Sequence, residues 1–328
     1  MQPLPPTRSE SLWLEDGSIV LQAEGKQFKV YRGLLALQST VFEDMFAFPQ
    51  PPSGEELVEG CSIVHLSDSA VDVEFVLEEI FLRRWLAPAG GPIPIAAIAA
   101  FLRLGNKYDI QTLHREAIRR LAIEYPTNLA GFDQILHGCQ RCNDVMKYEQ
   151  WSHVDVANLA REQNLLALLP IALFWICRLW HADALPVATK GQKRADKTIS
   201  ALSPINERAC LQAYHILVNL KERNTYSWVF SPPSAYPGCT TPILGAAAGI
   251  TQCRIAREEL LRSLLFPAAV IGCILKWEDE WEEGMCAHCI AVAEQRHGEG
   301  RQQSWDALPG VFGLPGWEEL IKDLAVAV

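Results

Sequence analysis

The fold is decided by the stretch Ser18-Ile-Val-Leu-Gln-Ala-Glu-Gly-Lys-Gln-Phe-Lys-Val-Tyr31, close to the start of the chain. Apolar residues occupy alternate positions on both sides of Gly25-Lys26, at Ile19, Leu21, Ala23, Phe28 and Val30. A period of two is typical of half-buried β-strands. Glycine also tolerates the positive φ that a two-residue hairpin turn needs at its first central position. The sequence therefore predicts a β-hairpin with Gly25-Lys26 at its turn.

Helical patterns follow this hairpin. Ser39 is predicted to cap one helix, and Ser69, with an acidic residue three positions later, is predicted to cap another. Residues 63–66 have the pattern of a short strand between these helices, and two further helices are predicted over 95–108 and 109–125. A small sheet packed against a helical cluster is the economical way to bury these apolar faces together, so the expected fold class is α+β.

The stretch from Asp16 to Phe46 resembles the opening of a BTB/POZ domain. The family pattern has a hairpin, a phenylalanine two residues before a His-Lys/Arg pair, and then a leucine, a serine and a phenylalanine followed by an apolar pair. The matching residues here are Phe28, Arg32, Leu35, Ser39, Phe42, Met45 and Phe46. Val64–Asp68 and Leu104–Asp109 also resemble BTB regions of large fungal families, so the similarity covers roughly residues 14–125. Tyr31 stands where the family has histidine.

The resemblance implies an interaction domain without an active site. Relatives typically dimerise, and many recruit a cullin scaffold so that a second domain presents a substrate for ubiquitination. We therefore expect a BTB/POZ domain over 11–126, a helical extension over 127–185, a linker over 186–204 and a mostly helical, Cys- and Trp-containing region over 205–328. The expected function is that of an adaptor or scaffold, with a second copy of the chain and a cullin as protein partners.

The second half of the chain also has helical patterns. Residues 151–181 are predicted to form two helices hinged near Pro170, and residues 205–230 to form one amphipathic helix. Residues 251–277 are predicted to form two helices broken at Pro267, because proline removes a backbone donor from the helix interior. A C-terminal helical region behind a small α+β domain is the expected organisation.

Charge and composition argue against nucleic acid and membranes as partners. The formal net charge is -10, and a surface of that sign repels polyphosphate and anionic lipid. The longest apolar run, Leu165–Cys177, is shorter than the roughly 20 residues that span a bilayer, so we expect a buried helix. Met1–Glu10 lacks the apolar core of a signal peptide, which predicts an intracellular protein of the cytoplasm or nucleus whose ten cysteines are reduced.

Four of these cysteines are candidate metal ligands. Cys286 and Cys289 form a C-x-x-C pair, with Cys239 and Cys253 upstream. Four thiolates can hold a tetrahedral zinc ion, which requires the sulfurs to lie within about 4 Å of one another. The alternative is that these cysteines are small buried hydrophobic residues. A second C-x-x-C, Cys139-Gln-Arg-Cys142, has no partner pair nearby.

The sequence contains none of the usual catalytic motifs. It has no nucleophile elbow, no phosphate-binding loop, no dinucleotide-binding glycine pattern and no H-E-x-x-H zinc motif. We therefore predict that the chain is not an enzyme. The competing hypothesis is a zinc sensor or a metal-dependent enzyme that uses the C-terminal cysteines. Trp277 and Trp281 are expected to pack against the C-terminal turns, with an exposed aromatic docking face as the alternative.

Overall fold

The computed structural model describes residues 5–47, 57–86, 91–136, 146–147, 152–179, 191–193, 199–242, 250–265 and 271–327. The chain has the expected α+β character and divides into two compact units. Unit 1 comprises the described residues of Met1–Glu124, Gly138–Gln150 and Ala327–Val328, and unit 2 those of Tyr125–His137 and Trp151–Val326. Among the described residues, no helix is both long enough and apolar enough to cross a membrane.

Unit 1 contains a five-stranded sheet whose strands are ordered β1-β3-β2-β5-β4. The strands are β1 (Thr7–Trp13), β2 (Ile19–Ala23), β3 (Lys26–Val30), β4 (Leu57–Val58) and β5 (Cys61–Leu66). The central strand β2 pairs antiparallel with β3 and parallel with β5. The alternating pattern predicted a half-buried strand, but β2 has neighbours on both sides and Val20 is buried together with Ile19, Leu21 and Ala23. A separate short parallel pair joins β6 (Ile93–Pro94) to β7 (Met146–Lys147).

The predicted hairpin is confirmed, but its turn lies one residue earlier than predicted. Ala23 pairs directly with Lys26, so the two turn residues are Glu24 and Gly25. The positive φ falls on Glu24, at 48°. Lys26 belongs to β3 because its backbone pairs with Ala23, and its ammonium group also forms an ion pair with Glu74, at 2.7 Å.

Helices cover the rest of unit 1. They are α1 (Arg32–Gln38), α2 (Thr40–Ala47), α3 (Ala70–Leu82), α4 (Ile95–Lys107) and α5 (Gln111–Glu124). The two predicted caps are confirmed: the Ser39 side chain accepts the Phe42 backbone N–H, and that of Ser69 accepts the Asp72 N–H. Helix α4 is buried along most of its length, so it forms the centre of the unit 1 core.

Unit 2 is almost entirely helical. Its helices are α6 (Leu129–Leu136), α7 (Ser152–Glu162), α8 (Leu169–Leu179), α9 (Pro204–Leu220), α10 (Ser227–Phe230), α11 (Gln252–Leu265), α12 (Ala287–Val311) and α13 (Trp317–Ala327). A π-helical turn, Lys221–Thr225, follows α9. The apolar run that contains α8 is buried, as expected, with Pro170 in the first turn of that helix, where a missing N–H costs least.

One predicted helix of unit 2 does not form. Helix α11 ends at Leu265, and residues 271–278 are irregular where a second helix was expected. Side chains from other elements donate hydrogen bonds to three consecutive carbonyl oxygens of this segment. The Thr225 hydroxyl donates to the Cys273 carbonyl, Arg301 to that of Ile274 and His297 to that of Leu275. These long-range bonds satisfy the backbone without a helix.

The predicted linker over 186–204 lies largely outside the described residues. Its described part contains a short antiparallel pair, β8 (Gln192–Lys193) with β9 (Ile199–Ser200), and then the start of α9. The predicted break at Pro267 lies outside the described residues altogether.

Candidate metal centre

The four cysteines that the sequence singled out come together in unit 2. The sulfur atoms of Cys239, Cys253, Cys286 and Cys289 all lie within 4.8 Å of one another. Cys253 and Cys289 are buried, whereas Cys239 and Cys286 are partly exposed. None of the four forms a disulfide bond. The chain thus gathers four thiols although 33 residues separate Cys253 from Cys286.

Three different segments supply these thiols. Cys239 follows a short 3₁₀ turn, Pro233–Ala235, and Cys253 is the second residue of α11. Cys286 is the N-cap residue of α12, and Cys289 is the third residue of that helix. The N-termini of two helices therefore lie at the thiol cluster. The free backbone N–H groups there favour negative charge, including that of a thiolate.

Hydrogen-bond donors surround the sulfurs. The Cys286 backbone N–H donates to the Cys253 sulfur over 3.1 Å. The Thr241 hydroxyl lies 3.1 Å from the Cys239 sulfur and 3.4 Å from that of Cys253. Donors of this kind stabilise the thiolate form of cysteine, which is the form that binds metals.

The ionisation of the four thiols is uneven. Burial opposes ionisation throughout, but hydrogen bonds with Thr241 lower the pKa of Cys239. Hydrogen bonds with Thr240 and Cys289 outweigh burial at Cys286 and lower its pKa to about 5. Burial raises the pKa of Cys253 and of Cys289. Four adjacent sulfurs cannot all become anionic without a cation between them, because like charges repel strongly at this separation.

Tight packing fixes the walls of the cluster. Gly238, just before Cys239, lies so close to the His288 ring that a β-carbon would come within 2.5 Å of it. On the other side, Cys253 and Cys289 belong to an apolar cluster of unit 2 that contains Tyr226, Trp228, Tyr236 and Trp281. The site therefore lies at the edge of the core of the unit, with two of its thiols buried and two partly exposed.

Trp277 and Trp281 belong to the same apolar cluster. Trp277 and Trp281 lie 5.4 Å apart between ring centroids, and both contact Trp228 and His297. Packing, not an exposed docking face, is thus the role of Trp281, which is buried. The partners are α10 and α12 instead of the predicted C-terminal turns.

Among the cysteines that the structure describes, no other one adds a ligand to this centre. Cys139 and Cys142 lie outside the described residues. Cys177, Cys210 and Cys273 are fully buried elsewhere in unit 2, and burial raises the pKa of Cys273 to about 12, which favours an inert thiol. Among the described residues, the cluster of Cys239, Cys253, Cys286 and Cys289 is the one group of metal-ligand type.

Two supporting residues were not predicted from the sequence. Thr241 follows Cys239 by two residues, a spacing at which a hydroxyl group reaches back to a nearby acceptor. Gly238 precedes the same cysteine, and glycine marks places where backbone and side chain approach closely. The segment Pro237-Gly-Cys-Thr-Thr241 therefore carried a local signal for a built site.

No protein-family model matches this chain, and no curated protein shows significant similarity to it.

Proposed function

We propose that unit 1 is a BTB-type interaction domain and that the chain acts as a non-enzymatic adaptor through self-association and partner binding. The observation that supports this is the order of its elements. A hairpin (β2-β3) is followed by a helix pair (α1-α2), by a strand parallel to β2 (β5) and by three helices (α3-α5). That order agrees with the domain that the sequence pattern resembles.

Five of the seven residues that carry the resemblance have core positions in unit 1. Phe28, Leu35 and Ser39 are essentially inaccessible to solvent, and Phe42 and Phe46 are nearly so. The Ser39 hydroxyl donates to the Tyr108 carbonyl in addition to its capping role, so it links the start of α2 to the end of α4. A family pattern made of such positions describes a packed fold and not a reactive site.

The polar part of the family pattern is arranged differently here. The Asp16 carboxylate accepts a hydrogen bond from the Tyr31 hydroxyl over 2.5 Å. The Arg32 guanidinium instead donates to the Phe46 carbonyl and lies over the Phe46 ring, 5.2 Å from its centroid. Asp16 and Arg32 thus bond to different partners, Tyr31 and Phe46.

Exposed apolar side chains offer a surface for a second copy. Leu37 on α1 and Val71 on α3 expose 76% and 57% of their surface, and the two helices contact each other. Strand β1, by contrast, pairs with β3 of its own chain. We place the proposed contact between two copies on the α1–α3 face.

Light scattering on the purified full-length chain tests this proposal. A dimer should have twice the mass of the 36.6 kDa chain, and Leu37→Asp should shift it to a monomer because a charge at an apolar interface is costly. Leu211→Asp, at an exposed leucine of unit 2, is the matched control and should leave the dimer intact. A wild-type chain that is monomeric at a protein concentration on the order of tens of micromolar would contradict self-association.

Cullin binding stays a prediction from the resemblance. A pull-down of the full-length chain with a cullin N-terminal region tests it directly. If the chain does not bind the cullin region at concentrations on the order of micromolar, the ubiquitin-ligase role is contradicted and the other adaptor roles stay open.

A further inference from the structure

We propose that Cys239, Cys253, Cys286 and Cys289 bind one Zn²⁺ ion, and that this ion is a structural centre of unit 2. The proposal is independent of the interaction function of unit 1. Zn–S bonds of about 2.3 Å in a tetrahedron put the sulfurs about 3.8 Å apart. The observed separations reach 4.8 Å at most, so a small contraction brings all four sulfurs to bonding distance.

The ligand chemistry suits zinc. Soft thiolates in a tetrahedral set favour zinc or iron over magnesium and calcium, which prefer oxygen. An iron–sulfur cluster has a core of several iron and sulfide atoms, which spreads its cysteine ligands farther apart than these sulfurs lie. Disulfide bonds would require two pairs of sulfurs at bonding distance, but all four cysteines are free.

The surroundings suit the charge of such a centre. Four thiolates around Zn²⁺ carry a net charge of about −2. The N-termini of α11 and α12 both lie at the cluster, and their free N–H groups stabilise negative charge. The bonds from the Cys286 N–H and the Thr241 hydroxyl supply further donors directly to the sulfurs. A metal centre of this charge therefore needs no additional cation.

The position of the ligands gives the ion a structural role. Cys239 lies in an irregular segment, whereas the other three ligands begin two helices. A single ion would thus tie the segment after α10 to the first turns of α11 and α12. Because the protein supplies all four ligands, no coordination position remains for water or substrate, which is the mark of a structural site and not a catalytic one.

Metal analysis of the full-length chain tests the proposal. After purification under reducing, anaerobic conditions without added metal, elemental analysis should find one zinc per chain. Cys289→Ser should lose the zinc. Cys210→Ser, at a buried thiol of the same unit outside the cluster, should retain it. Iron in place of zinc, or no metal at all, would overturn the assignment.

Two measurements on the wild-type chain cover the case in which Cys289→Ser fails to fold. Cobalt(II) exchanged into the site should give the intense visible bands of tetrahedral thiolate coordination, and weak octahedral bands would contradict the proposal. Thiol titration in denaturant with a chelator should count all ten cysteines. A deficit of four thiols would instead indicate two disulfides and would also overturn it. Neither readout depends on the oligomeric state.

Discussion

Gly300 on α12 marks the closest approach of two backbones in unit 2. A β-carbon at this position would collide with the backbone of Asn224 and Thr225 in the π-helical turn. We predict that Gly300→Ala destabilises the protein by about 1–3 kcal/mol, since the obstacle is backbone, which cannot move aside like a flexible side chain. Gly298, on the same helix, has open space around it. Gly298→Ala should stabilise by up to about 1 kcal/mol through helix propensity.

Urea unfolding of the two variants beside the wild type measures this contrast. Equal effects of the two substitutions would show that α12 does not contact the π-helical turn through Gly300.

At the residue scale, the sequence indicates which residues belong to a site but not which residues lie next to them in the fold. It singled out Cys239, Cys253, Cys286 and Cys289 by type and spacing, yet their convergence depends on two helix starts meeting in space, which no local pattern records.

The irregular segment 271–278 depends on side chains from two distant elements. The Thr225 hydroxyl is buried, donates to the Cys273 carbonyl and lies 3.0 Å from the Ser304 hydroxyl. Thr225→Val keeps the shape but removes this donor. We predict a loss of about 1–3 kcal/mol in the free energy of unfolding, because a buried carbonyl is left unsatisfied.

Ser263→Ala is the matched control for this substitution. The Ser263 hydroxyl is exposed and bonds within its own helix, to the Leu260 carbonyl. Its removal should change the free energy of unfolding by no more than about 0.5 kcal/mol. Denaturant titrations of the three proteins make the comparison, and an equally small loss for Thr225→Val would mean that the carbonyl finds another donor.

Elements with local signals were predicted well, and those with distant partners were not. The hairpin and the caps at Ser39 and Ser69 depend on residues within a few positions of one another. Strand β1 was not predicted, because only two of its seven residues, Ser9 and Leu12, are buried and they do not alternate. Its partner is also a parallel strand, so no hairpin turn indicates the pairing. The second of the two helices predicted over 251–277 was wrong over its described residues, 271–277, whose backbone bonds to remote donors instead.

The two units bury titratable groups of opposite kind, so acid and base affect them differently. In unit 2, burial lowers the pKa of His153 and of His297 to about 4. These histidines stay neutral in the folded state, and the stability of unit 2 falls as the pH drops from about 6.5 towards 4. In unit 1, burial raises the pKa of Glu124 to about 7. The folded state therefore favours the protonated carboxyl of Glu124, and the stability of unit 1 falls as the pH rises from about 4.5 to 7.

Glu124→Gln should therefore stabilise unit 1 at pH 8, on the order of 1–3 kcal/mol, because the neutral amide removes the cost of a buried charge. At pH 5 the wild-type carboxyl is already protonated, so the substitution should have little effect. Glu116, on the same helix α5, provides a control of opposite sign. Hydrogen bonds with Arg119 hold its pKa below the usual range, and bonds and charge from Arg120 act in the same direction. Glu116→Gln should destabilise at pH 8, by less than about 1 kcal/mol given its partial exposure.

Hydrogen-exchange mass spectrometry at the two pH values separates these effects by unit. Peptides of α4 and α5 should gain protection at pH 8 in Glu124→Gln and lose it in Glu116→Gln, after correction for the intrinsic pH dependence of exchange. Peptides of α12 should change in neither variant if the two units unfold independently. Protection that falls at pH 8 in Glu124→Gln would show that the folded protein stabilises the Glu124 carboxylate, and the expected pH dependence of unit 1 would then be reversed.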